Sequence, residues 1–186
     1  MNGISRRTMI LTGSAGLALT ACGNGIGSQG AVRLDARVDA ARDYLATTYP
    51  GTRDLMAKAV GTLYVPVVTE AGLITFGGSY GQGALRINDV TVDYYSATQA
   101  SVGLQIGAQQ YAHVLFFMTA PALEDFRAAQ GWVAGANLSY ALPDQGGSIG
   151  TDTTTTTAPV IALVYGQAGF IAGAKVTGTK YSRIIP

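Results

Sequence analysis

GTLYVPVVTEAGLITFGGSYGQGALRINDVTVDYYSATQASVGLQIGAQQYAHVLFFM, residues 61–118, has no helical period: β-branched and aromatic residues come in short runs broken by glycine. The runs read as strands over Thr62–Thr69, Leu73–Phe76, Ala84–Asn88, Val90–Tyr95, Ser101–Gly107 and the strongly apolar Ala112–Met118. Asn88-Asp89 is a turn signal between two of them. Consecutive strands with no helix between them pair antiparallel, so the expected class is α+β, a single domain dominated by a twisted or barrel-like antiparallel sheet.

Outward from this core the pattern changes on both sides. Upstream, Leu34, Val38, Ala41 and Leu45 recur at helical spacing within Val32–Thr48, with Arg33, Asp35, Arg37, Asp39, Arg42 and Asp43 opposite them. Near-balanced charge on the polar side favours a helix that lies on its own domain over one that lies on a membrane. Pro50-Gly51-Thr52 ends it, and Thr52 is placed to cap a short second helix through Lys58. Downstream, Pro121 opens a helix over Ala122–Gln130, with Glu124 and Asp125 in its first turn and Gly131 after it. Strands resume at Trp132–Ala141, Pro159–Tyr165, Phe170–Val176 and Lys180–Ile184, and Asp144–Thr157, with its glycines and threonine run, is a long loop.

The first residues read as an address. Ser5-Arg6-Arg7-Thr8 precedes an apolar stretch from Met9 to Ala21 that is too short to span a bilayer, the layout of an export signal, and the arginine pair suggests the twin-arginine route. Leu19-Thr20-Ala21-Cys22 resembles a lipobox, which makes Cys22 the expected acylated residue. Its sulfur accepts a diacylglyceryl group, and two acyl chains such as palmitate hold a soluble domain on a membrane at about 0.8 kcal/mol per buried CH2. The expected division is a signal peptide over 1–21, lipidated Cys22 and a flexible tether over 22–30, and a domain over 31–186. The expected location is the periplasm-facing cell envelope, with Gly23 after Cys22 pointing to the outer membrane.

Composition narrows function further. Of 186 residues, 48% are hydrophobic and 12% charged, a balance that argues for a packed core and against disorder. Twelve Lys+Arg against 11 Asp+Glu leave no excess of positive charge for a nucleic-acid backbone. One His and one Cys, the latter committed to an anchor, build neither a zinc site nor a disulfide, and the aspartates lack calcium-loop spacing, so no metal or cofactor is expected. After Asp152 the only charges are Lys175, Lys180 and Arg183, which makes this end the expected contact for anionic lipid head groups.

One pattern points to catalysis. Gly77-Gly78-Ser79-Tyr80-Gly81 fits G-x-S-x-G, and Asp89 or Asp93 with His113 completes the order Ser, Asp, His of a serine hydrolase. The pattern needs a strand, a sharp turn and a long helix, whereas another strand follows Ser79. His113 alternates with Tyr111, Leu115 and Phe117 on an apolar strand, as a packed histidine does, and Gly77, Gly78, Gly81 and Gly83 read as sheet geometry rather than a phosphate loop. The expectation is therefore a non-enzymatic protein.

Five blocks resemble the SYLF lipid-binding domain family, in particular its bacterial lipoprotein members. They are Gly77-Gly78-Ser79-Tyr80-Gly81-Gln82-Gly83, Tyr94-Tyr95-Ser96-Ala97, Gly103-Leu104-Gln105-Ile106-Gly107-Ala108-Gln109, Phe116-Phe117-Met118-Thr119 and Gly169-Phe170-Ile171-Ala172-Gly173. The resemblance, over roughly Leu34–Ile184, implies a non-enzymatic domain that associates with membrane lipid. Eukaryotic members of that family are phosphoinositide-binding and actin-linked. Here Tyr95-Ser96-Ala97-Thr98 stands where they tend to show Trp-Ser-Ala-Pro, and Gln167-Ala168 precedes Gly169 where a lysine is common. Without Arg6 and Arg7 the charge is −1, so phosphoinositide or actin specificity is not carried over. The alternative partner is an envelope protein.

Overall fold

The computed structural model describes residues 27–73, 76–102, 107–135, 138–143, 149–150, 158–169 and 176–186, with the backbone alone at 142–143, 149–150 and 167–169. Helices α1 (Gly30–Thr48) and α2 (Thr52–Lys58) precede strands β1 (Gly61–Leu73), β2 (Phe76–Ile87), β3 (Val90–Val102) and β4 (Gly107–Phe117). Helix α3 (Ala120–Ala128) follows, then β5 (Trp132–Val133), β6 (Leu138–Pro143), β7 (Ile149–Gly150), β8 (Val160–Gly169) and β9 (Lys180–Ile184). The strands form one sheet in the order β5-β9-β3-β2-β1-β4-β8-β6-β7, antiparallel at each step except β6 beside β8. The α+β class and the antiparallel core are as expected from the sequence.

Chain connectivity requires this sheet to curl. Val133 in β5 and Leu138 in β6 are five residues apart, a reach of at most roughly 17 Å, yet they belong to opposite flanks of the strand order. The flanks also meet directly, where the Tyr140 hydroxyl lies 2.6 Å from Thr177 Oγ1 just before β9. The result is a half-barrel whose concave side is filled by α3: the Phe126 ring sits 4.6 Å from Tyr95, 4.8 Å from Phe117, 5.4 Å from Trp132 and 6.0 Å from Tyr181.

Side-chain alternation divides the core in two. Leu85, Tyr95, Ala97, Leu115 and Phe117 point to the concave interior with α3, whereas Ala84, Val114 and Phe116 face Leu34, Val38, Leu45 and Leu55 of α1 and α2. The central strand β4 is therefore buried on both faces from Tyr111 to Phe117, which is why Ala112–Met118 reads as continuously apolar. All four apolar residues expected on the inner face of α1 are buried, so this face is spent on the domain itself. Polar contacts fix α1 in place. Asp39 pairs with buried Arg86 at 2.6 Å, Arg42 with Asp89 at 3.0 Å, and Asp35 accepts hydrogen bonds from Thr91 and Tyr94.

A bulge interrupts β1 between Tyr64 and Val68, around Pro66, where a proline cannot donate to the ladder. It brings β2 close. A Cβ on Gly81 would lie 2.8 Å from the Val67 carbonyl oxygen, and one on Gly83 would collide with the Tyr64 carbonyl. Two of the glycines in the G-x-S-x-G region thus serve backbone approach, as expected.

Several boundaries differ from the sequence reading. Leu73 and Phe76 do not share a strand; they end β1 and begin β2 as cross-strand partners. Ser101 and Val102 close β3 while Gly107 opens β4. Trp132–Ala141 is two strands on opposite flanks, and β7 interrupts the Asp144–Thr157 loop. Thr52 does not cap α2: Gly51 holds that position, and the Thr52 hydroxyl donates to the Tyr49 carbonyl at 2.8 Å. Helix α3 starts at Ala120 and ends at Ala128, so Gly131 does not close it. At the end of the expected tether, α1 begins at Gly30 and Ser28 Oγ donates to the Pro186 carbonyl at 2.9 Å. The export signal, Cys22 and the Phe170–Gly173 block lie outside the described residues.

Candidate functional site

Of the three cations expected at the lipid-facing end, Lys175 lies outside the described residues. Lys180 opens β9 opposite Thr98 and is exposed. Its side chain runs past Gly131, where an added Cβ would meet the Lys180 Cε at 2.5 Å. It has no ion pair with a described residue. Arg183 sits three residues on, opposite Tyr95. Its Nε lies 3.2 Å from Asp93, its guanidinium carbon 5.9 Å from the Tyr95 ring centre, and Nη2 donates to the Arg127 carbonyl at 3.3 Å. Asp93 is also bonded to Arg127 at 3.0 Å. The two remaining cations therefore differ: Lys180 is unpaired among the described residues, and Arg183 is held in a cluster around one largely covered carboxylate.

The hydrolase arrangement is not assembled. Ser79 pairs with Glu70 of β1, and Glu70 with Gln109 of β4, so Ser79 is level with Gln109 rather than with His113. Two strand spacings, roughly 10 Å, and four residues along β4, roughly 13 Å, separate it from His113. A nucleophile and its base need hydrogen-bond contact. His113 is fully buried, with Nε2 2.8 Å from the Tyr181 hydroxyl and Nδ1 lacking a partner among the described residues. Burial pushes its pKa down from 6.5 to about 3, so the ring is neutral, and burial likewise pushes the Tyr181 phenol well above its ordinary 10. Asp89 is at the β2–β3 turn with Arg42, and Asp93 is in the arginine cluster. His113 is thus the hydrogen-bonded core histidine that its place on an apolar strand suggests. Among the described residues no group of His, Cys, Asp and Glu is placed to hold a metal ion.

A cleft of about 380 Å³ lies beside α1 over the β1 bulge, lined by Arg37, Tyr44, Pro66, Val67 and Tyr165 among others. A second, about 290 Å³, shares Arg37, Pro66 and Val67 and extends to Thr69 and Tyr80. Arg37 is exposed and has no ion pair with a described residue, since the α1 carboxylates Asp35 and Asp39 turn toward β2 and β3. Sequence reasoning missed Arg37 because its charge is balanced along the helix; only the direction of each carboxylate leaves it unpaired. No helix among the described residues is long and apolar enough to cross a membrane.

No curated protein matches the chain. Three of the five sequence blocks, those beginning at Gly103, Phe116 and Gly169, fall between Thr98 and Arg183. Residues 98–183, running from β3 through β9, match the family model described as Ysc84, Las17-binding protein actin regulator, and over this stretch the likeness to the SYLF family is established.

Proposed function

We propose that this chain is a membrane-associated, non-enzymatic protein, anchored in the cell envelope through a lipidated Cys22, whose SYLF domain binds anionic lipid surfaces. The observation that carries the reading is the family match, because SYLF domains are lipid-binding and actin-linked. The surface supports it with Lys180 on β9 and Arg37 on α1, neither in an ion pair among the described residues. Lys175 belongs with Lys180 on this reading, whereas Arg183, bound to Asp93, contributes less to head-group contact. Each cation near an anionic surface adds about 1 kcal/mol, and screening over about 8 Å in physiological salt reduces it. Attachment by the domain alone is then weak, and the anchor supplies residence.

The described core lies within Leu34–Tyr181, so a chain beginning at Gly23 keeps each described element and its contacts. Co-sedimentation of that chain with phosphatidylglycerol-containing and with pure phosphatidylcholine vesicles tests the proposal. Binding to the anionic vesicles, reduced by Lys180→Gln and nearly unchanged by Arg183→Gln, is expected. Absence of binding to either vesicle refutes it and favours an envelope protein partner, the alternative consistent with a family described by the protein it binds.

A further inference from the structure

The α1 face of the sheet is only partly covered. Beyond the bulge, the residues of β1 to β4 that point to the same side as α1 continue in register past the end of its footprint. In the first uncovered row Thr69 stands beside Tyr80 and Gln110, and Tyr80 beside Thr98. In the second, Ala71 lies between Gly78 and Ala108, with Ala100 beyond Gly78. The last row, at the tip of the sheet, is Leu73, Phe76 and Val102. These positions are exposed without exception, the last three at 74%, 72% and 80%, and not one carries a charge. The flanking sequence is also uncharged, from Ala71 to Leu85 and, apart from neutral His113, from Tyr94 to Leu123.

Charge returns at the border. Lys180 is the cross-strand partner of Thr98 and extends the first row on one side, while Arg37 stands over Thr69 and Tyr80 on another. An apolar surface rimmed by cations that have no ion pair among the described residues matches a bilayer, whose hydrocarbon is bordered by anionic head groups. Within β1 to β4 the described rows span roughly 14 Å by 13 Å. The α1 helix, about 10 Å across, stands beside the face, so a flat membrane meets the tip row before it meets the Thr69 row.

The covalent anchor can reach the near border of the same surface. Ser28 is tied to Pro186, two residues past the Ile184–Tyr94 pair on β9 and β3. Six residues from Cys22 to Ser28 extend roughly 20 Å, which matches the six residues, again roughly 20 Å, from Pro186 past the Ile184–Tyr94 pair to Thr98 and falls short of Val102, roughly 13 Å further on, so insertion of the tip requires this face of the domain to be inclined onto the bilayer. We propose that the uncharged tip carrying Leu73, Phe76 and Val102 inserts into the acyl boundary of an anionic bilayer, with Lys180 and Arg37 resting on its head groups. This deepens the lipid-binding reading above and rests on it.

The chain from Gly23 has no cysteine, so single-cysteine variants give clean labelling sites. Phe76→Cys and, as a control, Val90→Cys at the far end of β3, both at exposed positions, are labelled with an environment-sensitive fluorophore and mixed with phosphatidylglycerol vesicles containing brominated lipid. The label at 76 is expected to shift to the blue and be quenched, and the label at 90 to do neither. Independently, Leu73→Ser with Phe76→Ser is expected to weaken vesicle binding at least about tenfold with thermal unfolding unchanged, since both side chains are exposed. Binding with an unquenched label at 76, or with full affinity in the double-serine variant, overturns the tip insertion and leaves the lipid-binding reading standing. No vesicle binding by the unlabelled chain overturns both. A dimer in the absence of lipid that the double-serine variant dissolves assigns the tip to a second copy and overturns insertion.

Discussion

Acidification singles out His113, because it is the only histidine in the chain. Between pH 6.5 and 5 the unfolded chain gains a proton at this ring, whereas the folded chain, with a pKa near 3, does not. A folded pKa below the unfolded one means that stability is complete above about pH 6.5 and is lost as pH falls toward 3. The slope in this window is about 1.4 kcal/mol per pH unit. From pH 7 to pH 5 the loss is thus about 2 kcal/mol. Carboxylates titrate mostly below this range, so little else contributes. Urea unfolding at half-unit pH steps measures it through the midpoint at constant m-value. The same series on His113→Gln, which keeps a polar group beside the Tyr181 hydroxyl, is expected to be lower in stability at pH 7 and flat between pH 7 and 5. A flat profile in the natural chain would mean that His113 is solvated or already charged, and the buried His113–Tyr181 pair would be wrong.

Other substitutions test separate joints of the account. Gly83→Ala puts a methyl group against the Tyr64 carbonyl at the bulge and is expected to cost about 3 kcal/mol, read as a thermal shift of roughly 10 °C; an unchanged midpoint contradicts the close approach. Asp93→Asn removes the charge shared by Arg127 and Arg183 and is expected to cost about 1.5 kcal/mol in urea unfolding, with vesicle binding not weakened. Cys22→Ser in the full chain leaves no sulfur for the diacyl group, so the protein is expected to leave the detergent phase of a partitioning experiment or remain an uncleaved precursor; a mutant still processed and wholly in the detergent phase excludes the anchor.

Much of the fold is legible where a local pattern and its environment agree. The helical recurrence of Leu34, Val38, Ala41 and Leu45 identifies the buried face of α1, and Asn88-Asp89 is a turn because both residues take left-handed backbone, with φ of 50° and 64°. Continuous apolarity over Tyr111–Phe117 marks a strand covered on both faces. What escapes reading depends on contacts between distant segments. The bulge at Pro66 reverses which residues of β1 face inward, so alternation counted through Thr62–Thr69 puts Thr69 and Leu73 on the wrong side. The split of Trp132–Ala141 across the sheet follows from curling, which no local signal records.

The candidate site divides in the same way. Charge counting alone finds Lys180 and Arg183 and treats them alike; Asp93, ninety positions before Arg183, is what sets them apart. Arg37 is hidden by the balanced charges of its own helix. The uncharged sheet face is spread over four strands and becomes visible only once their register is known. Ser79 and His113 make the opposite error, since a motif and a chain order place together two residues that the sheet holds apart.

The claim that the domain recognises a membrane by an apolar face with a cationic rim is tested most directly by binding of the unlipidated chain from Gly23 to supported phosphatidylglycerol bilayers over a series of salt concentrations. The account predicts binding that weakens as salt rises, as the contacts of Lys180 and Arg37 are screened, and then levels at a salt-resistant remainder from the apolar tip. No binding at the lowest salt would contradict it.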